Sequence, residues 1–253
     1  MRREVAMVFD GSFDGFLCVI YDFYYAGIAP ISIELSDEYQ QTLDGEVHRT
    51  ATVEAHARRV QQGIREKISD DALVYLGWAF LCETHADVKF MALFQYILMG
   101  FKRGAAVDDH LQHDAVHLTH KMARAVTREA HLLTGFARFA RTEPHGVFYC
   151  EISPKNNVLP LLVEHFTSRM LGQAWVIHDK KRNEAAVFDG RDYVMVLVPQ
   201  DTKPPQFSEG EAEIEAMWVE FFHTIAIKER ENPKLQRNML PLHFRKNMVE
   251  FKI

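Results

Sequence analysis

The chain has 253 residues, 47% hydrophobic and 25% charged, a balance typical of a soluble globular protein that can bury a core without disulfides. Its net charge of −6 gives no global pull toward nucleic acid, and its three cysteines are too scattered for a local zinc knuckle or iron–sulfur cluster. Cys18, Cys82 and Cys150 each sit among apolar neighbours, which predicts buried free thiols and a reducing, cytoplasmic setting. The apolar run near Met1 is cut by Asp10 and Gly11, so no secretory signal is expected, and no run is long enough to cross a bilayer.

EVAMVF, Glu4 to Phe9, reads as a short buried strand. Asp10-Gly11-Ser12 follows as turn and helix cap, and Phe13, Phe16, Leu17, Ile20 and Tyr24 recur at helical spacing until Gly27. Ile31 to Leu35 alternates as a strand, and Val47 to Ala51 is a weaker one, with a turn signal at Leu43-Asp44-Gly45. A helical block comes next. Val53, Ala57, Val60, Ile64 and Ile68 make one stripe, Asp70 or Asp71 is expected to cap the next helix, and Val88 to Phe101 is apolar on most sides. Val107 to Leu133 reads as one long helix.

After Gly135 the period changes to two. Phe136–Arg141 and Val147–Ile152 flank TEPHG as a hairpin, Val158–Met170 is an amphipathic helix, and AWVIHD, EAAVFD and YVMVLVP are three further strands. Ile214–Ile227 is an aromatic-rich helix, and Pro233 and Pro241 predict broken helix beyond it. The order predicts an α+β fold, a helical block plus a largely antiparallel sheet, with the N-terminal strands free to join that sheet in a single integrated domain.

Charge is unevenly spread. From Lys228 to Ile253 there are seven Lys/Arg against three Asp/Glu, a net of +4, which leaves −10 on the rest. Such a basic segment suits either a polyanion contact or docking on its own acidic body. A second concentration lies in HLQHDAVHLTH. On a continuous helix at about 100° per residue, its four histidines fall within about 80° of one another, opposite the apolar stripe, and Arg124, Arg128 and His131 continue the same face. His110 and His120 would stand about 15 Å apart along the axis, too far for one metal ion. The face is therefore read as solvated or as presented to an anionic partner. No metal site and no cofactor are evident in the sequence. Glu129 is the exception, falling on the apolar stripe, where a carboxylate needs a partner. A salt bridge to Arg138 or Arg141 is one reading and a functional acid or base the other.

Neither GxGxxG nor GxxxxGK[ST] occurs, nor GxSxG. DGSFDG lacks the spacing of a calcium loop and reads as a strand–helix turn or as a pocket supplied by Asp10 and Ser12. Lys180, Lys181 and Arg182 form a basic hairpin tip, either a solvated turn or a phosphate clamp.

DGSFDGF, TREAHLLTGFARFA, EISPKNNVLPLLVEHFTSRM, WVIHDKKR with AVFDG, and ENPKLQRNMLPLHFRKNMVEF occur in that order. Together they resemble a bacterial family designated "probable DNA metabolism protein", whose reaction is unknown. The resemblance touches Asp10, Glu129, His131, Arg138, Trp175, His178, Arg237 and Arg245. It implies work in DNA repair or modification beside a radical-SAM protein, and in some bacteria a fusion to a uracil-DNA glycosylase-superfamily domain. The chain has neither the cysteine triplet of a radical-SAM enzyme nor a GxDPY motif, so the resemblance implies that a partner supplies any such chemistry.

Three functions follow as expectations. The first is a DNA-binding accessory that grips phosphate through Arg124, Arg128, Arg138, Lys180, Lys181, Arg182, Arg237, Arg245 and Lys246, with Phe244 available for base stacking. The second is an enzyme acting on a nucleobase or DNA lesion through Asp10, Glu129, His131 and His178 as acid/base groups. The third is a non-catalytic scaffold for the radical-SAM protein.

Overall fold

The computed structural model describes residues 2–40 and 46–251, so the Leu43-Asp44-Gly45 turn lies outside the described residues. The fold is α+β, and the chain divides into two compact units, 1–126 and 127–253.

In the first unit, β1 (Arg3–Phe9) is followed by α1 (Phe13–Tyr25), β2 (Ile28–Leu35) and β3 (Val47–Arg49). β1 lies between β2 and β3 and is parallel to both. Parallel neighbours need a crossover, and α1 supplies the one from β1 to β2. Val5 to Phe9 are all buried, which explains why β1 is an unbroken apolar run without alternation. The helix cap falls where the sequence places it, with Ser12 Oγ accepting from Gly15 N at 2.9 Å.

Then come α2 (Glu54–Lys67), α3 (Asp70–Phe80) and α4 (Ala86–Arg103). Ala57, Val60, Ile64 and Ile68 of the predicted stripe are buried. The cap of α3 is Ser69, whose hydroxyl accepts from Ala72 N, and the two aspartates expected there instead occupy the first turn. Either carboxylate near the helix N-terminus stabilises it, so sequence pattern alone does not separate cap from first turn.

The single long helix expected over 107–133 is interrupted. Gly104, at φ +67°, ends α4 and starts a 3₁₀ turn over Gly104–Asp109, and α5 begins only at Asp114 and runs to Phe136. His110 and His113 therefore precede α5, and the continuous histidine face does not form.

In the second unit, β4 (Ala140–Arg141) and β5 (Phe148–Ile152) make the expected hairpin, but its first strand is only two residues long, because Phe136, expected to open it, still ends α5. α6 (Leu159–Arg169) leads to β6 (Trp175–Asp179), β7 (Glu184–Phe188) and β8 (Tyr193–Leu197). The strand order is β4-β5-β6-β7-β8, antiparallel except at β5–β6, where α6 makes the crossover. The N-terminal strands do not join this sheet; they form their own. α7 (Glu211–Thr224), α8 (Pro233–Met239) and α9 (Leu242–Arg245) complete the unit, broken by prolines as expected.

Candidate functional site

β5 carries Tyr149 and Glu151 on one face, because alternate residues of a strand point the same way. In the parallel register Glu151 sits opposite His178 of β6. A hydrogen-bonded chain results, in which the Tyr149 hydroxyl donates to Glu151 Oε1 at 3.1 Å and lies 2.7 Å from His178 Nδ1. With the phenol proton given to Glu151, the Nδ1 nitrogen must carry the imidazole proton, a tautomer assigned from the network. His178 is buried, and its Nε2 has no hydrogen-bond partner among the described residues. Burial, helped by the nearby Lys180 cation, pulls the His178 pKa below its ordinary value. Burial and the adjacent Glu151 carboxylate push the Tyr149 phenol up. The chain thus fixes a neutral phenol in a set orientation.

That phenol forms part of the wall of a cavity of about 400 Å³ lined by β4, β5, α7 and the segment after α9. Glu211, Ile214, Glu215 and Trp218 face it from α7, at the i, i+3, i+4, i+7 spacing of one helical face. Glu211 Oε1 accepts from Arg141 N at 2.7 Å and so ties the start of α7 to β4. Arg138 is bound to the buried Glu250 at 2.7 Å, and its guanidinium lies 5.1 Å from the Trp218 ring centre. Burial raises the Glu250 pKa, but hydrogen bonds, chiefly from Arg138 and also from Trp218, outweigh it and hold the carboxyl below its ordinary range. Trp218 thereby packs against a guanidinium that Glu250 holds in place. A second cavity of about 280 Å³ adjoins, sharing Tyr149 and Pro204 and lined by His178 and Lys180.

The four acid/base candidates have separate hydrogen-bond partners. Asp10, in the first unit, accepts from Ser12 N, Ser12 Oγ and Thr52 Oγ1 at 3.0, 2.7 and 2.8 Å. Burial opposes ionisation of Asp10, but these bonds prevail and lower its pKa. Glu129 is buried and accepts from Lys155 N, Asn156 N and Asn156 Nδ2 at 2.7, 2.9 and 2.8 Å, with His243 Nε2 at 3.4 Å. The expected salt bridge from Glu129 to Arg138 or Arg141 is absent, because Arg138 is taken by Glu250 and backbone N–H groups of the β5–α6 loop fill the carboxylate's lone pairs instead. His131 is exposed on α5, and His178 lies in the sheet as described.

The cationic candidates also divide. Arg182 pairs with the fully buried Asp179 and donates to Lys155 O, and Lys181 Nζ donates to the same carbonyl at 2.7 Å, so this end of the hairpin tip is internally bonded. Lys180 is exposed, 3.7 Å from Glu151. Arg124, Arg128 and Arg237 are exposed; Arg124 Nε donates to His120 O, and Arg237 Nε to Pro233 O. Arg245 lies over the Phe251 ring and donates to Gln236, while Lys246 is exposed at the 400 Å³ cavity. Phe244, expected to stack on bases, is buried against Phe136 and cannot. Among the histidines, His120 turns inward to Asp108 at 2.9 Å, and Asp108 also accepts from the buried Tyr96. No group of three or more His, Cys, Asp or Glu among the described residues is arranged to hold a metal ion.

Sequence reasoning missed Tyr149, Glu151, Phe207, Trp218 and Asn247. The alternation of FYCEI and the helical spacing from Glu211 to Trp218 carry the local signal. The register that sets Glu151 opposite His178 has none.

Residues 87–250 match DUF4130, a domain of unknown function. The chain belongs to the DUF4130 family. Every residue lining the 400 Å³ cavity lies within the DUF4130 match, whereas Asp10 lies outside it. A comparison with curated proteins finds no match.

Proposed function

We propose that the chain is a DNA-binding accessory of a DNA repair or modification system, working with a radical-SAM partner that supplies the chemistry. The observation that carries this reading is the exposed basic segment of the second unit. Residues 223–239 are all exposed and include Lys228, Arg230, Lys234 and Arg237. Long cations held in water are suited to displacing counterions from a phosphate backbone. The resemblance in the sequence supports DNA as the polyanion.

Four phosphate contacts to a single strand give a slope of log K against log salt of about −3. Fluorescence anisotropy with a labelled oligonucleotide over a salt series reads that slope. Absence of binding at low salt, with and without the radical-SAM protein, overturns the proposal.

A second reading, the protein-interaction scaffold, is favoured by β8. This edge strand exposes Tyr193, Val194, Met195, Val196 and Leu197, and an exposed apolar edge invites an added strand. Co-purification with the radical-SAM protein that survives high salt and nuclease treatment supports the scaffold over the DNA reading.

A further inference from the structure

The 400 Å³ cavity has aromatic walls and an acceptor-rich lining. Trp218 and Phe207 are 39% and 47% exposed, unusual for large aromatics, and both border the cavity together with Tyr149. Their positions are set by internal contacts: Trp218 by the Arg138 guanidinium that Glu250 binds, Phe207 by its bridge to Thr142. Rigid exposed aromatic faces favour a flat ligand that stacks, since little side-chain entropy remains to be lost.

The polar groups select the ligand's edge. Glu215 makes no hydrogen bond or ion pair among the described residues, Glu151, which accepts from Tyr149, also lines the cavity, and Asn247 turns its Nδ2 toward Ser153 Oγ at 3.5 Å, which leaves Oδ1 as an acceptor. Carboxylates and an amide oxygen pair with N–H groups and repel carbonyls. A cation is the other ligand that aromatics and carboxylates attract, but Arg138 already occupies Trp218 and Lys246 adds a second positive charge to the lining.

We propose that this cavity binds one unstacked, planar heterocyclic base that carries an exocyclic amine, as adenine, cytosine and guanine do and thymine does not. The proposal rests on the DNA reading for the polymer that delivers the base, and on the cavity alone for the base itself. It makes the preferred polymer single-stranded or locally opened, because a paired base hides both its faces and its amine.

The test is tryptophan fluorescence, excited at the red edge, during titration with adenosine, cytidine, guanosine and thymidine, and separately with single-stranded oligonucleotides. Trp218→Phe and Glu215→Gln are the variants, the second at a half-exposed surface position where folding is not at stake. At least one amino-bearing nucleoside should quench the Trp218 emission with affinity about ten-fold above that of thymidine, the scale of one good edge contact. Trp218→Phe should abolish the signal, and Glu215→Gln should shrink the discrimination. Equal binding of thymidine, an unchanged Trp218 signal, or equal quenching by tetramethylammonium overturns the proposal. Salt-dependent oligonucleotide binding without a Trp218 response refutes the pocket and leaves the DNA reading standing. Nucleoside binding without oligonucleotide binding does the reverse.

Discussion

Replacing Glu129 with glutamine removes a charge and changes little else in shape. In the wild type, Oε1 accepts from Lys155 N and Oε2 from Asn156 N and Nδ2. A glutamine can aim its single oxygen at the Asn156 pair, but its amide N–H₂ then faces the Lys155 N–H, donor against donor. One bond to a charged group, worth about 1.5–3 kcal/mol, is lost, and the two that remain become neutral and weaker. The expected cost is about 2–4 kcal/mol, and Glu129→Ala, which strands all three donors, should cost about 3–5 kcal/mol. Urea unfolding in a Trp78→Phe background follows the second unit through Trp175 and Trp218, so a transition in the first unit does not confuse the reading. Should Glu129→Gln unfold within about 0.5 kcal/mol of wild type, the carboxylate is not clamping the β5–α6 loop and the structural account of this buried acid fails.

Other predictions follow from single contacts. His178 has a depressed pKa, so its neutral form is favoured by folding; its contribution is complete above the ordinary value of 6.5 and declines as the pH falls below it toward the folded value. The urea midpoint should therefore drop on mild acidification, and His178→Gln should flatten that slope, while the depressed Glu250 acts with the same sign below its ordinary 4.5. Arg182→Met leaves Asp179, which is fully buried, without its cation and should destabilise by about 3–5 kcal/mol in denaturant unfolding. Gly15→Ala brings a methyl to 2.2 Å from Asp10 Oδ1 and 2.8 Å from Thr52 Oγ1, so it should cost about 1–3 kcal/mol despite alanine's better helix propensity; a stabilised variant in thermal melts would contradict that geometry. Arg237→Gln should reduce the salt slope of oligonucleotide binding by about one contact's worth, with no change in slope counting against contact at this site.

Local signals are legible in the chain. β1 announces itself because a strand covered on both faces has nothing to alternate, and Ser12 because a hydroxyl before an apolar period satisfies an orphan N–H of the helix. The hairpin of β6 and β7 and the broken helices after Pro233 are legible for similarly local reasons. The histidine stripe requires an unbroken helix, which the chain does not form. Gly104 and the 3₁₀ turn that follows reset the phase before α5 starts, so residues on either side of the break share no helical face. The apolar stripe marks Glu129 as a buried carboxylate, but not the partners that fill its lone pairs, since backbone donors from a loop more than twenty residues away leave no trace in side-chain identity.

What the sequence determined by itself is the order and type of most elements, the α+β class, the buried thiols and the concentration of positive charge after Ile227. These depend on neighbours along the chain, where spacing and composition are visible. Only the tertiary structure decided that β1, β2 and β3 form their own parallel sheet, that Arg138 serves Glu250, and that Tyr149, Glu151 and His178 link beside a cavity walled by Trp218 and Phe207. Each of those depends on strand register or on packing between distant segments. Many registers and packings satisfy the same local pattern, and the choice among them is made by the free energy of the assembled fold.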